Sequence, residues 1–197
     1  MREVELKAVI DDLKVRRGKL EDGGAILVYE GRLLDRRYDS SDRKLSAADN
    51  VLRVRRFSGR DGEKTLLDWK GPTSIDDGFK VREELSTGVH DHAVLATVLE
   101  KLGYLVTLEI DRDIAQYEIA GATVRFETYP RMDVLVEVEG EKRAIEAAIH
   151  TLDMSRAEFT SERLAAFVER FERRTGVRAA ISDRELSGDY AFQGGNR

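Results

Sequence analysis

Along much of this chain hydrophobic and polar residues alternate singly, which is the period of a β-strand with one apolar and one polar face. From Arg2 to Val9, Val4, Leu6 and Ala8 fall on one face and Glu3, Glu5 and Lys7 on the other. The same alternation groups Arg53 with Arg55, Lys64 with Asp68 and Lys70, and Lys80 with Arg82 and Glu84. Later it groups Arg125 with Glu127 and Glu137 with Glu139. Ser58-Gly59-Arg60-Asp61-Gly62 and Ala120-Gly121-Ala122 carry hairpin-turn residues, and Gly71-Pro72 stops a strand. Helical spacing takes over between and after these runs. His90 to Leu102 aligns Val94, Leu95, Val98, Leu99 and Leu102, with Asp91 near its start and Gly103 as a stop. Glu141 to Leu152 aligns Ile145, Ala148, Ile149 and Leu152, and Ser161 to Arg174 aligns Leu164, Phe167, Val168 and Phe171. A shorter helix is expected from Asp11 to Leu20. The pattern predicts an α+β fold of mostly antiparallel strands with three or four amphipathic helices.

At 197 residues, 41% hydrophobic, the chain suits one globular domain, taken as residues 1–180, followed by a tail over 181–197 whose last residues, Gly194 to Arg197, are expected to fray. No stretch approaches the roughly 18 to 20 uninterrupted apolar residues of a membrane span, and the chain opens on a charged strand-like run instead of a signal peptide. The expectation is a cytoplasmic protein with no membrane partner. The absence of cysteine excludes disulfides, thiolate zinc sites and cysteine nucleophiles. Net charge is −5, with 33 basic residues interspersed among 38 acidic ones, so there is no polycationic footprint for nucleic acid. The run Arg53-Val54-Arg55-Arg56-Phe57 is too short and too poor in aromatics to supply one. Rossmann and P-loop glycine motifs are also absent.

Two constellations carry chemistry. Glu3, Glu5, Glu137 and Glu139 form two E-x-E pairs near opposite ends of the domain. If their strands are neighbours, hard oxygen ligands converge and suit Mg²⁺ or Mn²⁺; taken singly, each pair is an ordinary solvated strand face. Lys7, Arg53, Arg55, Lys70, Arg82, Arg112 and Arg125 lie on several segments, mostly on polar strand faces. Converged, they would grip phosphate, the arginines as forks and the lysines as point charges; scattered, they are surface charges. Periodicity leaves both arrangements open: a sheet with its charges outward, or a barrel of about eight strands with its charges inward and helices outside. His90 and His92 flank Asp91 at a helix start and read as capping or surface groups, and Ser40 and Ser41 have no histidine partner nearby.

Glu3-Val4-Glu5-Leu6-Lys7 matches the ExExK opening of the CYTH superfamily, and further elements follow in that family's order. Tyr38-Asp39 with Leu52-Arg53-Val54-Arg55 resembles its Y-D and LRxR elements, and Trp69-Lys70-Gly71-Pro72 its KGP. Lys80-Val81-Arg82-Glu83-Glu84 resembles its R-E-E strand, Leu99 to Tyr104 its helix end, and Val136 to Gly140 its late ExE strand. The resemblance spans roughly residues 2 to 140. It implies an antiparallel β-barrel, a triphosphate tunnel, with Mg²⁺ or Mn²⁺ on Glu3, Glu5, Glu137 and Glu139. Lys7, Arg53, Arg55, Lys70, Arg82, Arg112 and Arg125 would bind the triphosphate, with Lys7, Arg53, Arg55 and Lys70 nearest the chemistry. The chain is most similar to the class IV adenylyl cyclase branch, which implies conversion of ATP to cyclic AMP and pyrophosphate. A triphosphatase acting on tripolyphosphate, thiamine triphosphate or a nucleoside triphosphate is the alternative, and a non-catalytic polyphosphate-binding module the third. The implied partner is a small-molecule triphosphate, ATP or tripolyphosphate, with a homodimer left open. Three positions depart from the cyclase branch: Ser86 replaces a Glu, Asp133 replaces a Gly, and no Lys stands near Arg112 to complete a Lys-x-Arg pair.

Overall fold

The computed structural model describes residues 2–60 and 62–192. Among them are nine strands: β1 (Arg2–Val9), β2 (Ile26–Ser40), β3 (Val51–Gly59), β4 (Gly62–Lys70), β5 (Ser74–Asp76), β6 (Phe79–Val89), β7 (Tyr104–Ile119), β8 (Ala122–Thr128) and β9 (Leu135–Gly140). The helices are α1 (Leu13–Asp22), α2 (Lys44–Ala47), α3 (His92–Lys101), α4 (Lys142–Thr151), α5 (Leu164–Thr175) and α6 (Asp183–Leu186), with a 3₁₀ turn over Arg156–Glu158. The expected fraying of Gly194–Arg197 lies outside the described residues.

The strands pair antiparallel in the order β1-β9-β8-β7-β2-β3-β4-β6, and β6 pairs back onto β1 through Arg2↔Glu83 to Glu5↔Lys80. Eight strands therefore close a barrel. β5 is the extra one: after Gly71-Pro72 interrupts β4, the chain returns to the same side of β6 through Ser74↔Val81 to Asp76↔Phe79. Closure settles the question that periodicity leaves open. Glu5, Arg53, Arg55, Lys70, Arg82, Arg112, Arg125 and Glu137 are all buried, although each sits on a polar strand face.

The apolar faces point outward and form the core there. Leu6, Val124, Phe126, Val136 and Val138 pack against Leu20 of α1 and Ile145, Ala148, Ile149 and Leu152 at α4. A second cluster lies on the lumen-facing side instead, where Leu108, Ile110, Tyr129 and Leu135 pack against Phe167 and Val168 of α5 and against Ile181. The third, Tyr38, Val54 and Leu99, is small, so α3 buries only one edge. Leu95 and Leu99 face the barrel while Val94, Val98 and Leu102 stay exposed, a narrower apolar contact than the helical spacing predicts.

Helix boundaries follow their caps. Asp12 and Asp91 each accept two backbone N–H bonds and start α1 and α3 just inside the expected bounds. Gly176, in the left-handed region at φ 69°, ends α5. Among the described residues no helix is long and apolar enough to cross a membrane.

Candidate active site

One wall of the lumen is built by β1, β9 and β6. The register Glu5↔Glu139 and Lys7↔Glu137 brings the two E-x-E pairs side by side although they are far apart in sequence. One carboxylate oxygen from each of Glu3, Glu5 and Glu139 lies within 4.8 Å of the other two. Three hard anionic donors at that spacing fit a small divalent cation. Glu137, the fourth expected ligand, lies outside this trio; it is ion-paired with Lys7 and accepts from Arg125 Nη1 at 2.7 Å.

Three acids of the wall meet a lysine, and Glu139 faces Arg125 at 3.8 Å. Lys70 Nζ donates to both oxygens of Glu3, at 2.5 and 2.6 Å, Lys80 pairs with Glu5, and Lys7 bridges from Glu137 to Glu5 at 3.3 Å. Burial would raise the Glu5 carboxyl, but Lys7, Lys80 and Lys70 outweigh it and hold it at about 2. Glu139 goes the other way: burial and the neighbouring Glu137 carboxylate push it well above the usual carboxylate range against the pull of Arg125.

The facing wall comes from β2, β3, β4, β7 and β8. Arg53 reaches Asp68 at 3.0 Å and Glu84 at 3.1 Å, and Arg55 reaches Asp68 at 2.5 Å. Arg112 Nε donates to Glu127 Oε1 at 2.8 Å, and the Tyr129 hydroxyl donates to the other oxygen of Glu127 at 2.6 Å. Asp35, 1% exposed, sits among these arginines with neither oxygen hydrogen-bonded; the nearest charges are Arg53 Nη1 at 3.6 Å and Arg112 Nη1 at 3.9 Å. Burial raises its carboxyl, yet Arg53, Arg37, Arg112 and Arg55 together lower it below the usual value. The Nε of Arg37 is buried without an acceptor. Arg82 is spent on structure: it donates to the carbonyls of Gly71 at 2.6 Å and Asp49 at 2.7 Å, tying the end of β4 to the segment before β3.

The lumen opens at two ends of different character. At one, a cavity of about 120 Å³ is lined by Lys7, Arg37, Lys80 and Arg82 under α2, with Arg43, Asn50 and Arg163 at its rim. Arg163, at the start of α5, donates to Asp49 at 2.8 Å. At the other, β2 and β7 run past the β3–β4 hairpin and leave a cleft of about 540 Å³ between them. Its floor is Arg55 and Arg125, and Tyr29, Phe57, Leu66 and Gln116 are among its walls.

The lumen thus gathers the expected metal and phosphate residues, with Glu137 beside the carboxylate trio and Arg82 bonded to backbone carbonyls. Sequence reasoning passed over Asp35, Arg37, Asp68, Lys80, Glu84 and Glu127 as site residues. Lys80 and Glu84 carried a usable signal, since they alternate with Arg82 on β6. Asp35 and Arg37 gave little, because β2 is polar on both faces. Outside the lumen, Asp39 folds the mouth by accepting from the backbone of Leu45 at 3.0 Å and of Ser46 at 2.9 Å. Asp91, not His90 or His92, caps α3. Ser86 donates to Asp68 at 2.6 Å, and Asp133 pairs with Arg174 at 2.5 Å on the surface.

Residues 1–163 match the CYTH domain family, to which the chain belongs. A search of curated proteins finds no match. Among solved structures, a candidate adenylate cyclase from Vibrio parahaemolyticus is similar with a TM-score of 0.72 and 17% identity, over 85% of this chain and 97% of that one. A protein from Pyrococcus horikoshii gives a TM-score of 0.69 at 22% identity, over 85% of this chain and 98% of that one. The Hippeastrum protein HpAC1, a candidate adenylyl cyclase with a dominant triphosphatase activity, gives 0.52 at 13% identity, over 100% of this chain and 96% of that one. At these identities the likeness is one of fold.

Proposed function

We propose that the protein is a divalent-metal-dependent enzyme that acts on a triphosphate, as a class IV adenylyl cyclase converting ATP to cyclic AMP and pyrophosphate. The observation that carries this reading is the opposition of two walls across one lumen: converging oxygens of Glu3, Glu5 and Glu139 against the guanidinium groups of Arg53, Arg55, Arg112 and Arg125. Glu3, Glu5 and Glu139 would hold Mg²⁺ or Mn²⁺, which supplies Lewis-acid stabilisation of phosphate oxygens. Lys70, Lys80 and Lys7, now on the carboxylates, would be free to meet the phosphates if a cation were held there. Arg53 and Arg55 on one side and Arg112 and Arg125 on the other hold the chain of phosphates in line, so the attacking oxygen meets one phosphorus in a fixed geometry. Charge developing on the leaving pyrophosphate meets preoriented guanidinium groups. In the cyclase reaction the ribose 3′-oxygen forms a bond to the α-phosphorus as the bond to pyrophosphate breaks.

The second reading is a triphosphatase, in which water attacks a terminal phosphorus. It is favoured by Ile110, which lines the lumen two residues before Arg112, where the cyclase branch carries a lysine, and by the dominant triphosphatase activity of HpAC1. Product analysis with ATP and with tripolyphosphate, under Mg²⁺ and under Mn²⁺, tests both. Cyclic AMP with pyrophosphate is the expected result. Orthophosphate without cyclic AMP transfers the reading to the triphosphatase, and tripolyphosphate binding without turnover leaves a binding module.

A further inference from the structure

Arg112 of β7 is buried in the lumen wall, and its contacts divide its guanidinium in two. Nε donates to Glu127 Oε1 at 2.8 Å, whereas neither Nη nitrogen makes a hydrogen bond among the described residues, and Nη1 lies buried 3.9 Å from Asp35. An arginine that meets a carboxylate through Nε commonly closes a fork, with the second oxygen accepting from Nη2. Here that oxygen is taken. The Tyr129 hydroxyl donates to Glu127 Oε2 at 2.6 Å.

The end of a strand puts the tyrosine there. Pairing of β7 with β8 stops at Asp113↔Thr128, so Tyr129 is the first residue beyond the ladder, and its ring centre comes 5.9 Å from Arg112 Cζ. Leu135 and Phe167 and Val168 of α5 pack around the same ring and fix its direction. Burial and the Glu127 carboxylate hold the phenol well above its usual range, so it keeps its proton and stays a donor. Arg125 is a useful contrast. It spends Nε on Gln116 at 3.2 Å and Nη1 on Glu137 at 2.7 Å, so it is tied on two sides where Arg112 is tied on one.

We propose that Tyr129 is a positioning residue: by occupying one oxygen of Glu127 it prevents the fork onto Arg112 and leaves the Nη edge of that guanidinium for a phosphate oxygen. Glu127 then fixes where Arg112 sits without consuming it. This rests on the triphosphate reading above and adds to it a device that keeps one buried arginine available beside a carboxylate. Without the hydroxyl, Oε2 turns to Arg112 Nη2, and the phosphate has to compete with a buried carboxylate for the same N–H.

The test is a double-mutant cycle on binding of the methylene-bridged analogue of tripolyphosphate, which does not turn over, by titration calorimetry with Mg²⁺. Tyr129→Phe keeps the ring and its packing on α5 and should weaken the analogue about tenfold. In the Arg112→Met protein the same change should alter affinity by less than about twofold, because no guanidinium is left for Glu127 to close on. Glu127→Asp, which keeps the charge but withdraws it from both partners, should repeat the pattern at smaller size. Thermal melts of the free variants record any loss of packing separately, and such a loss alone would not depend on Arg112. Equal weakening with and without Arg112, or no weakening at all, overturns the role of Tyr129 and leaves the triphosphate reading intact. If the analogue does not bind the unmodified protein, the triphosphate reading falls and this one with it.

Discussion

The two walls of the lumen solve the problem of buried charge in opposite ways. On the β1–β9–β6 wall three carboxylates are met by ammonium groups: Lys70 on Glu3, Lys80 on Glu5, Lys7 on Glu137. On the wall built around β2 and β3, Asp35 lies among four arginines without a single hydrogen bond, and Arg37 keeps a buried Nε with no acceptor. The first wall pairs most of its acids with lysines; the second leaves Asp35 and part of Arg37 without a hydrogen-bond partner. Under the proposed function, a cation bound at the acidic wall would compete with these lysines for the carboxylates and leave them available to phosphate, so cation and phosphate binding would reinforce each other. The arginine wall pays for its readiness with unmet polar groups, whose burial costs about 1 to 3 kcal/mol each.

The largest test of this contrast is on the acidic wall. Glu5→Gln should cut turnover by at least about 10²-fold with the fold intact, because it removes one of three converging ligands and not a core contact. Glu137→Gln should fall short of that, since Glu137 holds Lys7 and Arg125 instead of joining the trio. Steady-state rates against Mn²⁺ concentration, with circular dichroism on both variants, decide the point. Equal losses would put Glu137 back among the ligands.

A smaller effect is expected on the basic wall. Tripolyphosphate at about 100 times its Kd should stabilise the unmodified protein by about 2.7 kcal/mol. Arg53→Ala should lose most of that protection, since the guanidinium that meets Asp68 and Glu84 in the free protein is the one offered to phosphate. Thermal melts with and without tripolyphosphate measure this. Protection equal to that of the unmodified protein would place Arg53 outside the binding site.

Much of the fold was legible because β1, β8 and β9 obey a period of two with an apolar face, and that face packs against α1 and α4. The direction of the polar face was not legible. It depends on β6 closing onto β1, a contact between residues about 80 positions apart that no local pattern encodes. The long strands β2 and β7 escaped the reading for a related reason. Asp35 and Arg37 of β2 face the lumen while Arg32 and Arg36 face Asp183 and Asp111 on the outside, so hydropathy alternates nowhere along that stretch. In the site, the glutamates and arginines were found from motifs, whereas their partners Asp68 and Glu127 were hidden because a buried counter-charge has the same letter as a solvated one.

Asp35 gives the finest test of the difference between the walls, through pH. Its folded pKa is depressed, because the surrounding arginines outweigh the effect of burial. A depressed carboxylate contributes stability that is fully present above its unfolded pKa and is lost as pH falls through its folded value. Asp35→Asn should therefore lower stability at neutral pH by about 1 to 3 kcal/mol, leaving Arg53, Arg37 and Arg112 to repel one another. The gap between the variant and the unmodified protein should close as the pH is lowered, because residue 35 is then neutral in both. The same change removes an anion that competes with phosphate, so tripolyphosphate should bind the variant more tightly. Urea melts from neutral to acid pH, paired with tripolyphosphate titrations, read both effects. A stability gap that stays constant with pH would mean that Asp35 acts through packing and that the arginine wall is not held by its charge.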